Sequence, residues 1–168
     1  MTEAERCLRL LQKRSAHGCL VSIDLDHFKH VNDTHGHAIG DALLRHVVAI
    51  CKQQLRPKDI FGRLGGEEFG ILLVDCPSAE GIFVADRIRM AIEASPLMED
   101  GRVVTLSASV GVSCTGKSGY TLQKLCRDSD AALYRAKRSG RNRVVAHTEE
   151  DNQLIDGMPG SSLSNVTG

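Results

Sequence analysis

The chain has no excess of either charge: 21 Lys and Arg stand against 21 Asp and Glu. That balance gives no broad electrostatic hold on DNA, RNA or an acidic membrane, so any anion binding must come from charges placed locally. No apolar run approaches the roughly 20 residues that span a bilayer. The opening Met1-Thr2-Glu3-Ala4-Glu5-Arg6 is polar and helix-like, unlike a secretory leader. These absences point to the cytoplasm. No C-x-x-C pair occurs among Cys7, Cys19, Cys51, Cys76, Cys114 and Cys126. Scattered and mostly on apolar faces, they read as reduced core thiols rather than disulfides or a zinc site.

What is present is ordinary for a globular domain: 42% apolar and 25% charged residues over 168 positions, enough for one domain with a core. Residues 1–147 read as that domain. From His147 on the apolar periodicity stops, and 148–168, with Gly157, Pro159 and Gly160, reads as a disordered tail.

Ala4, Cys7, Leu8 and Leu11 repeat at helical spacing and predict a first helix ending near Ser15. Gly18 leads into a strand over 19–25. A helical turn over 27–34 and a long helix over 39–55 follow, the latter stopped by Pro57. Residues 59–64 and 67–74 form a hairpin across Gly65-Gly66, a pair suited to positive φ. Ser78 caps a helix that ends before Pro96; 103–112 is a strand; 116–119 is loop; Thr121 caps a helix to Arg138; 143–146 is a last strand. Short strands mixed with helices predict an α+β fold, helices packed on a mainly antiparallel sheet.

The most informative stretch is Gly62-Arg63-Leu64-Gly65-Gly66-Glu67-Glu68-Phe69-Gly70. A buried strand rarely opens on adjacent acids, because unpaired carboxylates are costly to desolvate. A second apolar strand, Leu20-Val21-Ser22-Ile23, runs into Asp24-Leu25-Asp26. If the strands are neighbours, Asp24, Glu67 and Glu68 converge, and such hard oxygens suit Mg2+ or Mn2+, with the Leu25 carbonyl as a further ligand. Asp26 reads more simply as a cap on the helical turn. The first N–H groups of that turn, near Phe28 and Lys29, can cradle phosphate.

Lys137 and Arg141, four apart at a helix end, either face a phosphate together or merely complement the helix dipole. Asn32 and Asp41 either read a base or serve as a C-cap and a first-turn acid. His27, His30, His35 and His37 lack the spacing of a zinc site on a regular helix. Arg56-Pro57-Lys58-Asp59 is either a proline-stopped helix end with a salt-bridged pair or an R-x-x-D motif, in which arginine can grip guanine O6 and N7 and the carboxylate its N–H edge.

Taken together these blocks resemble the GGDEF family of diguanylate cyclases from about Leu20 to Val145. They are Asp-x-Asp-x-Phe-Lys-x-x-Asn-Asp-x-x-Gly-His-x-x-Gly-Asp at 24–41, Gly-Gly-Glu-Glu-Phe at 65–69, Ser-x-Gly-Val at 109–112, and Asp130-Ala131-Ala132-Leu133-Tyr134 before Lys137 and Arg141-Asn142. The resemblance implies a nucleotide-cyclase or polymerase-palm fold with a ferredoxin-like core. It also implies condensation of two GTP into cyclic di-GMP with release of two pyrophosphates.

Carried over by position, Asp24, the Leu25 carbonyl and Glu67 become ligands of Mg2+ or Mn2+. Glu68 becomes a further ligand or the group that helps deprotonate the attacking 3′-hydroxyl, and Lys29 stands with Glu67 and Glu68 among the catalytic groups. Asn32 and Asp41 hold guanine. Lys137 and Arg141 hold the terminal phosphates, with Phe28, Gly65 and Gly66 also against substrate. Arg56 and Asp59 form a product-binding inhibitory site, with Arg87 as a partner from a second surface. Ring closure between two half-sites implies a homodimer. The family's Asp-x-Leu-Thr-x-Leu-x-Asn-Arg stretch is missing before the first strand, and its sensory partner domain is expected outside this chain. Other readings are a non-catalytic cyclic di-GMP receptor and a GTP-binding regulatory module.

Overall fold

The computed structural model describes residues 1–99 and 101–148. In order the elements are α1 (Glu3–Lys13), β1 (Gly18–Leu25), α2 (Phe28–His35), α3 (His37–Gln54), β2 (Ile60–Gly65), β3 (Glu68–Val74), α4 (Ser78–Ala94), β4 (Leu97–Glu99), β5 (Arg102–Val104), β6 (Ala108–Cys114), α5 (Thr115–Ser118), α6 (Leu122–Arg138) and β7 (Val144–Ala146). A five-stranded sheet runs β2-β3-β1-β6-β7, antiparallel except for the parallel β6–β7 pair. The expected α+β architecture is therefore present. The expected tail lies outside the described residues apart from Thr148. Among the described residues no helix is long and apolar enough to cross a membrane.

β1 is buried along its whole length, and its side chains alternate between two cores. Cys19, Val21, Ile23 and Leu25 face the larger core, with Phe69, Ile71 and Leu73 of β3, Val110 and Val112 of β6, and the apolar stripes of α3 and α4. Leu20 faces the smaller one, with Leu72, Val74, Leu8, Leu11 and Leu125. Phe69, completely buried, also stacks on Phe61 with ring centroids 5.9 Å apart.

α1 starts with a capping box that the apolar spacing alone did not reveal: Glu5 N donates to Thr2 Oγ1 and Thr2 N to a Glu5 carboxylate oxygen. Three local expectations need correction. The strand over 103–112 is two strands: the β4–β5 hairpin ends at Val104, and the chain enters β6 through Ser107, whose carbonyl accepts the Asp26 N–H at 2.9 Å. Residues 115–118 form the short α5 rather than loop. Ser78 is already helical, and Pro77 holds the N-cap position.

The cysteines also depart from expectation. The β1–β6 register sets Cys19 opposite Cys114, with Cα atoms 4.1 Å apart, and the pair is disulfide-bonded; Cys7, Cys51, Cys76 and Cys126 are free. A separation of 95 residues hid this pairing, which only the sheet register creates.

α6 lies closely on β6 because Gly111 has no side chain. A Cβ there would stand 2.1 Å from the Ser129 carbonyl oxygen and 2.4 Å from the Leu133 nitrogen, both backbone atoms that cannot step aside. Gly111→Ala must therefore push α6 off the sheet, at a cost of about 1–3 kcal/mol or more. Urea denaturation should show a lower midpoint of that size, and an unchanged midpoint would refute this seating of α6.

Candidate active site

Three rungs of the sheet build the site. On the face beneath α6, Leu20 of β1 pairs with Leu72 and Ser113, Ser22 with Gly70 and Gly111, and Asp24 with Glu68 and Ser109. The face thus passes from apolar through small to charged within five residues of β1. α6 follows the same gradient: Leu125 over the apolar rung, Ser129 and Asp130 over the small one, and Lys137 over the charged end.

At the charged end the Lys137 ammonium lies 2.6 Å from Asp24 Oδ2. Asp24 is only 7% exposed. Burial raises its pKa above the ordinary carboxylate value, Lys137 opposes that rise, and Glu67 and Asp26 add to it. The Leu25 N–H donates to the Glu67 carbonyl at 3.3 Å, which fixes the hairpin turn against the end of β1. Glu67 is half-buried and Glu68 exposed. The turn is clasped by Arg63, whose Nε and guanidinium nitrogen both donate to the Gly66 carbonyl. Gly66 alone of the two turn glycines has positive φ, +48°.

The expected meeting of three carboxylates is looser than foreseen: among the described residues no three Asp, Glu, His or Cys side chains gather closely enough to enclose a metal ion by themselves. Magnesium does not require such a cage, since it takes one or two carboxylates and completes its shell with water and phosphate oxygens. The donors present fit it, and the Lys137 ammonium already seats a cation on Asp24.

α2 begins at Phe28 with His27 in left-handed geometry, φ +58°, and no side-chain cap. Phe28 is buried and Lys29 exposed. Asp26 is therefore not the cap. It is buried and accepts from the Ser107 and Ser109 hydroxyls, each at 2.7 Å, and from the Asn142 N–H at 3.1 Å. Asn32 lies against Gly40 of α3: a Cβ on Gly40 would sit 1.8 Å from Asn32 Oδ1. Gly40 thus makes room for Asn32, while the next residue, exposed Asp41, lines a shallow groove with Leu44, Arg45, Val48 and Arg63.

Lys137 and Arg141 do not share a helix face, as four-residue spacing implied. α6 stops at Arg138, the Arg141 N–H returns to the Ala136 carbonyl at 3.0 Å, and Gly140 has φ +112°. This is a Schellman ending, which turns Arg141 out beyond the helix.

Asp130 was missed as a site residue. It accepts from Ser22 Oγ at 3.1 Å, and Ser22 also meets Ser129 Oγ at 2.8 Å. Burial, aided by the Glu68 charge, pushes the Asp130 carboxyl up to about 6. A small polar residue in the middle of β1, two before Asp24, was the available signal.

The R-x-x-D residues gather on another face. Arg56, Asp59 and Arg87 line one small cavity with Gln54, Leu73, Cys76, Glu80 and Val84, so Arg87 belongs to the same concavity and not to a second surface. Arg56 is ion-paired with Glu80, not Asp59. Asp59 accepts from the backbone N–H groups of Arg56 and Val74, and Arg87 donates to the Gln54 carbonyl.

The family model described as diguanylate cyclase, GGDEF domain matches residues 2–143. The chain belongs to the GGDEF family of diguanylate cyclases. The match takes in α1, ahead of the Leu20 at which the motif resemblance begins. The chain is 40% identical over 147 residues to the probable diguanylate cyclase DgcE of Escherichia coli, covering 85% of this chain and 13% of that protein. It spans between 13% and 34% of the length of the leading curated relatives. The GGDEF domain of TpbB (YfiN) from Pseudomonas aeruginosa superposes with TM-score 0.86 at 32% identity, covering 90% of this chain and 89% of that one. The GGDEF domain of DgcB from Caulobacter crescentus, in complex with c-di-GMP, gives 0.78 at 31% identity, with 86% and 85% covered.

Asp130 gives this GGDEF domain a pH signature. A carboxyl raised from 3.8 to about 6 on folding makes the folded chain bind more protons than the unfolded one between those values. Its contribution to stability is therefore present below that window and lost as pH rises through it. Asp130→Asn should gain stability relative to the parent chain on going from about pH 4 to about pH 7 in metal-free buffer. Urea midpoints at the two pH values measure it, and an equal difference at both would refute the raised carboxyl.

Proposed function

We propose that this chain is a metal-dependent diguanylate cyclase domain, extending over residues 1–147, that condenses two GTP into cyclic di-GMP and releases two pyrophosphates. The observation that carries this reading is the Asp24–Glu68 rung at the end of β1–β3, with Lys137 paired to Asp24, in a chain of the GGDEF family.

In this reading Asp24, the Leu25 carbonyl and Glu67 hold Mg2+ or Mn2+, which when bound lowers the cost of charge on the attacking and leaving oxygens. Glu68, exposed at the rim, either adds a ligand or takes the proton of the 3′-hydroxyl. The N–H groups at the start of α2, near Phe28 and Lys29, and the Lys137 and Arg141 side chains hold the phosphates. Asn32, seated over Gly40, and Asp41 pair with the guanine edge. Gly65 and Gly66 let the hairpin turn lie close to the nucleotide.

One chain offers one half-site, so closing the ring requires two chains facing each other, each giving its 3′-oxygen to the other's α-phosphate. The curated relatives are much longer than this chain, which supports a domain working under a sensory partner.

Glu67→Ala and Glu68→Ala should each cut cyclic di-GMP formation from GTP and magnesium about a hundredfold or more, since even outer partners of metal ligands are worth about ten- to a hundredfold. Chromatography of the products at several protein concentrations provides the test. A rate per chain that rises with concentration supports the dimer; an undiminished rate in either variant removes that residue from the chemistry.

A second reading concerns regulation. Arg56, Asp59 and Arg87 on one cavity rim have the chemistry to take a guanine of the product, which supports feedback inhibition. The DgcB domain was solved with c-di-GMP. Arg56→Ala should leave initial turnover intact and weaken inhibition by added cyclic di-GMP about tenfold, the scale of one bidentate contact to guanine. Inhibition unchanged in that variant excludes the site. Binding without any turnover would instead favour a receptor, or a GTP-binding module if GTP is the ligand held.

A further inference from the structure

Gly140, Arg141 and Asn142 hold three successive positive φ angles, +112°, +61° and +45°. Glycine adopts such geometry freely and asparagine tolerates it, but for arginine it carries a strain that the surroundings must maintain. The Schellman bond from Arg141 N to the Ala136 carbonyl already closes α6. The turn nevertheless has a second and heavier anchor one residue later.

That anchor is Asn142. Its N–H donates to buried Asp26 at 3.1 Å, its Nδ2 donates to Glu93 Oε1 at 2.6 Å, and its Oδ1 accepts from the Arg89 guanidinium at 2.7 Å. Arg89, whose side chain is 13% exposed, also donates to Asp86 at 2.8 Å and to Glu93 at 2.7 Å. The far side of Asp26 is fixed by Ser107 and Ser109. Asn142 is thus clamped between the end of β1 and the body of α4, directly beside the exposed and strained Arg141.

We propose that Asn142, tied to α4 through Arg89 and Glu93, is a positioning residue that sets where the Arg141 guanidinium stands to receive the terminal phosphates. The proposal rests on the phosphate role given to Arg141 above. A group that acts only through Arg141 must affect ligands that carry terminal phosphates and spare those that lack them. A residue needed merely for folding would affect both alike.

The test uses the full chain with magnesium and two probes: 3′-deoxy-GTP, which cannot supply an attacking 3′-oxygen, and GMP, which lacks the terminal phosphates. Asn142→Gly keeps the left-handed backbone and the N–H to Asp26 while removing both side-chain bonds. Arg89→Ala removes the α4 side of the clamp and serves as the second variant. By titration calorimetry each should weaken 3′-deoxy-GTP about three- to tenfold, the scale of one lost hydrogen bond, and leave GMP unchanged. Equal weakening of both probes, or of neither, overturns the proposal. Arg141→Ala is run beside them. If it separates the probes and the other two variants do not, the positioning role alone fails. If Arg141→Ala does not separate them either, the phosphate role is wrong and the proposal falls with it.

Discussion

Everything in this domain depends on the two-residue alternation of β1. Because successive side chains point to opposite faces, one strand presents Val21, Ile23 and Leu25 to the large core and Leu20, Ser22 and Asp24 to the face under α6. A slip of one residue would bury Asp24 among the aliphatic side chains of α3 and α4 and carry Ile23 to the charged end. Such a slip is doubly costly, since it strands apolar surface and an unpaired carboxylate at once. The large core therefore holds the register, and the register places the acids.

The second face shows how α6 takes part. Gly111 leaves the middle of this face without bulk, and α6 sinks until its backbone touches β6. Only at that depth does Ser129 reach Ser22, and one helix supplies both the apolar contact at Leu125 and the ammonium at Lys137. The packing and the electrostatics of the site are thus two ends of a single helix–sheet contact.

Much of this was legible in the residues. The acids sit at strand ends beside a glycine turn, and the sheet brings those ends together as the alternation and the hairpin required. Apolar spacing located the helices because burial on one face is a local pattern. What escaped were contacts created by register or by backbone geometry. Cys19 meets Cys114, Asp26 meets Asn142, and Arg56 meets Glu80 only after the sheet and helices are assembled. Arg141 leaves the helix face because α6 stops at Arg138, as expected, and the left-handed Gly140 then turns the chain away from the helix. Asp130 escaped for a different reason: an acid on a helix is ordinarily solvated, and nothing local shows that Ser22 and Glu68 lie beneath it.

These unforeseen contacts share a direction. Burial raises Asp24 and Asp130, and Arg141 holds a backbone that its side chain disfavours. Each feature works against stability where it stands: Asp24 at the charged end of β1, Asp130 over Ser22 one rung back, and Arg141 just past the end of α6. The compensating interactions surround them: the apolar rungs of both cores, the Asp26 hub with its two serine hydroxyls just past the end of β1, and the Arg89–Glu93 brace on α4. Buried acids and a left-handed arginine gathered near the charged end are the pattern expected where a chain is shaped for binding, though Ser15 and Asp75 also hold positive φ at the other end of the sheet. The Arg56 cavity is held differently, by an exposed ion pair and by backbone N–H groups donating to Asp59.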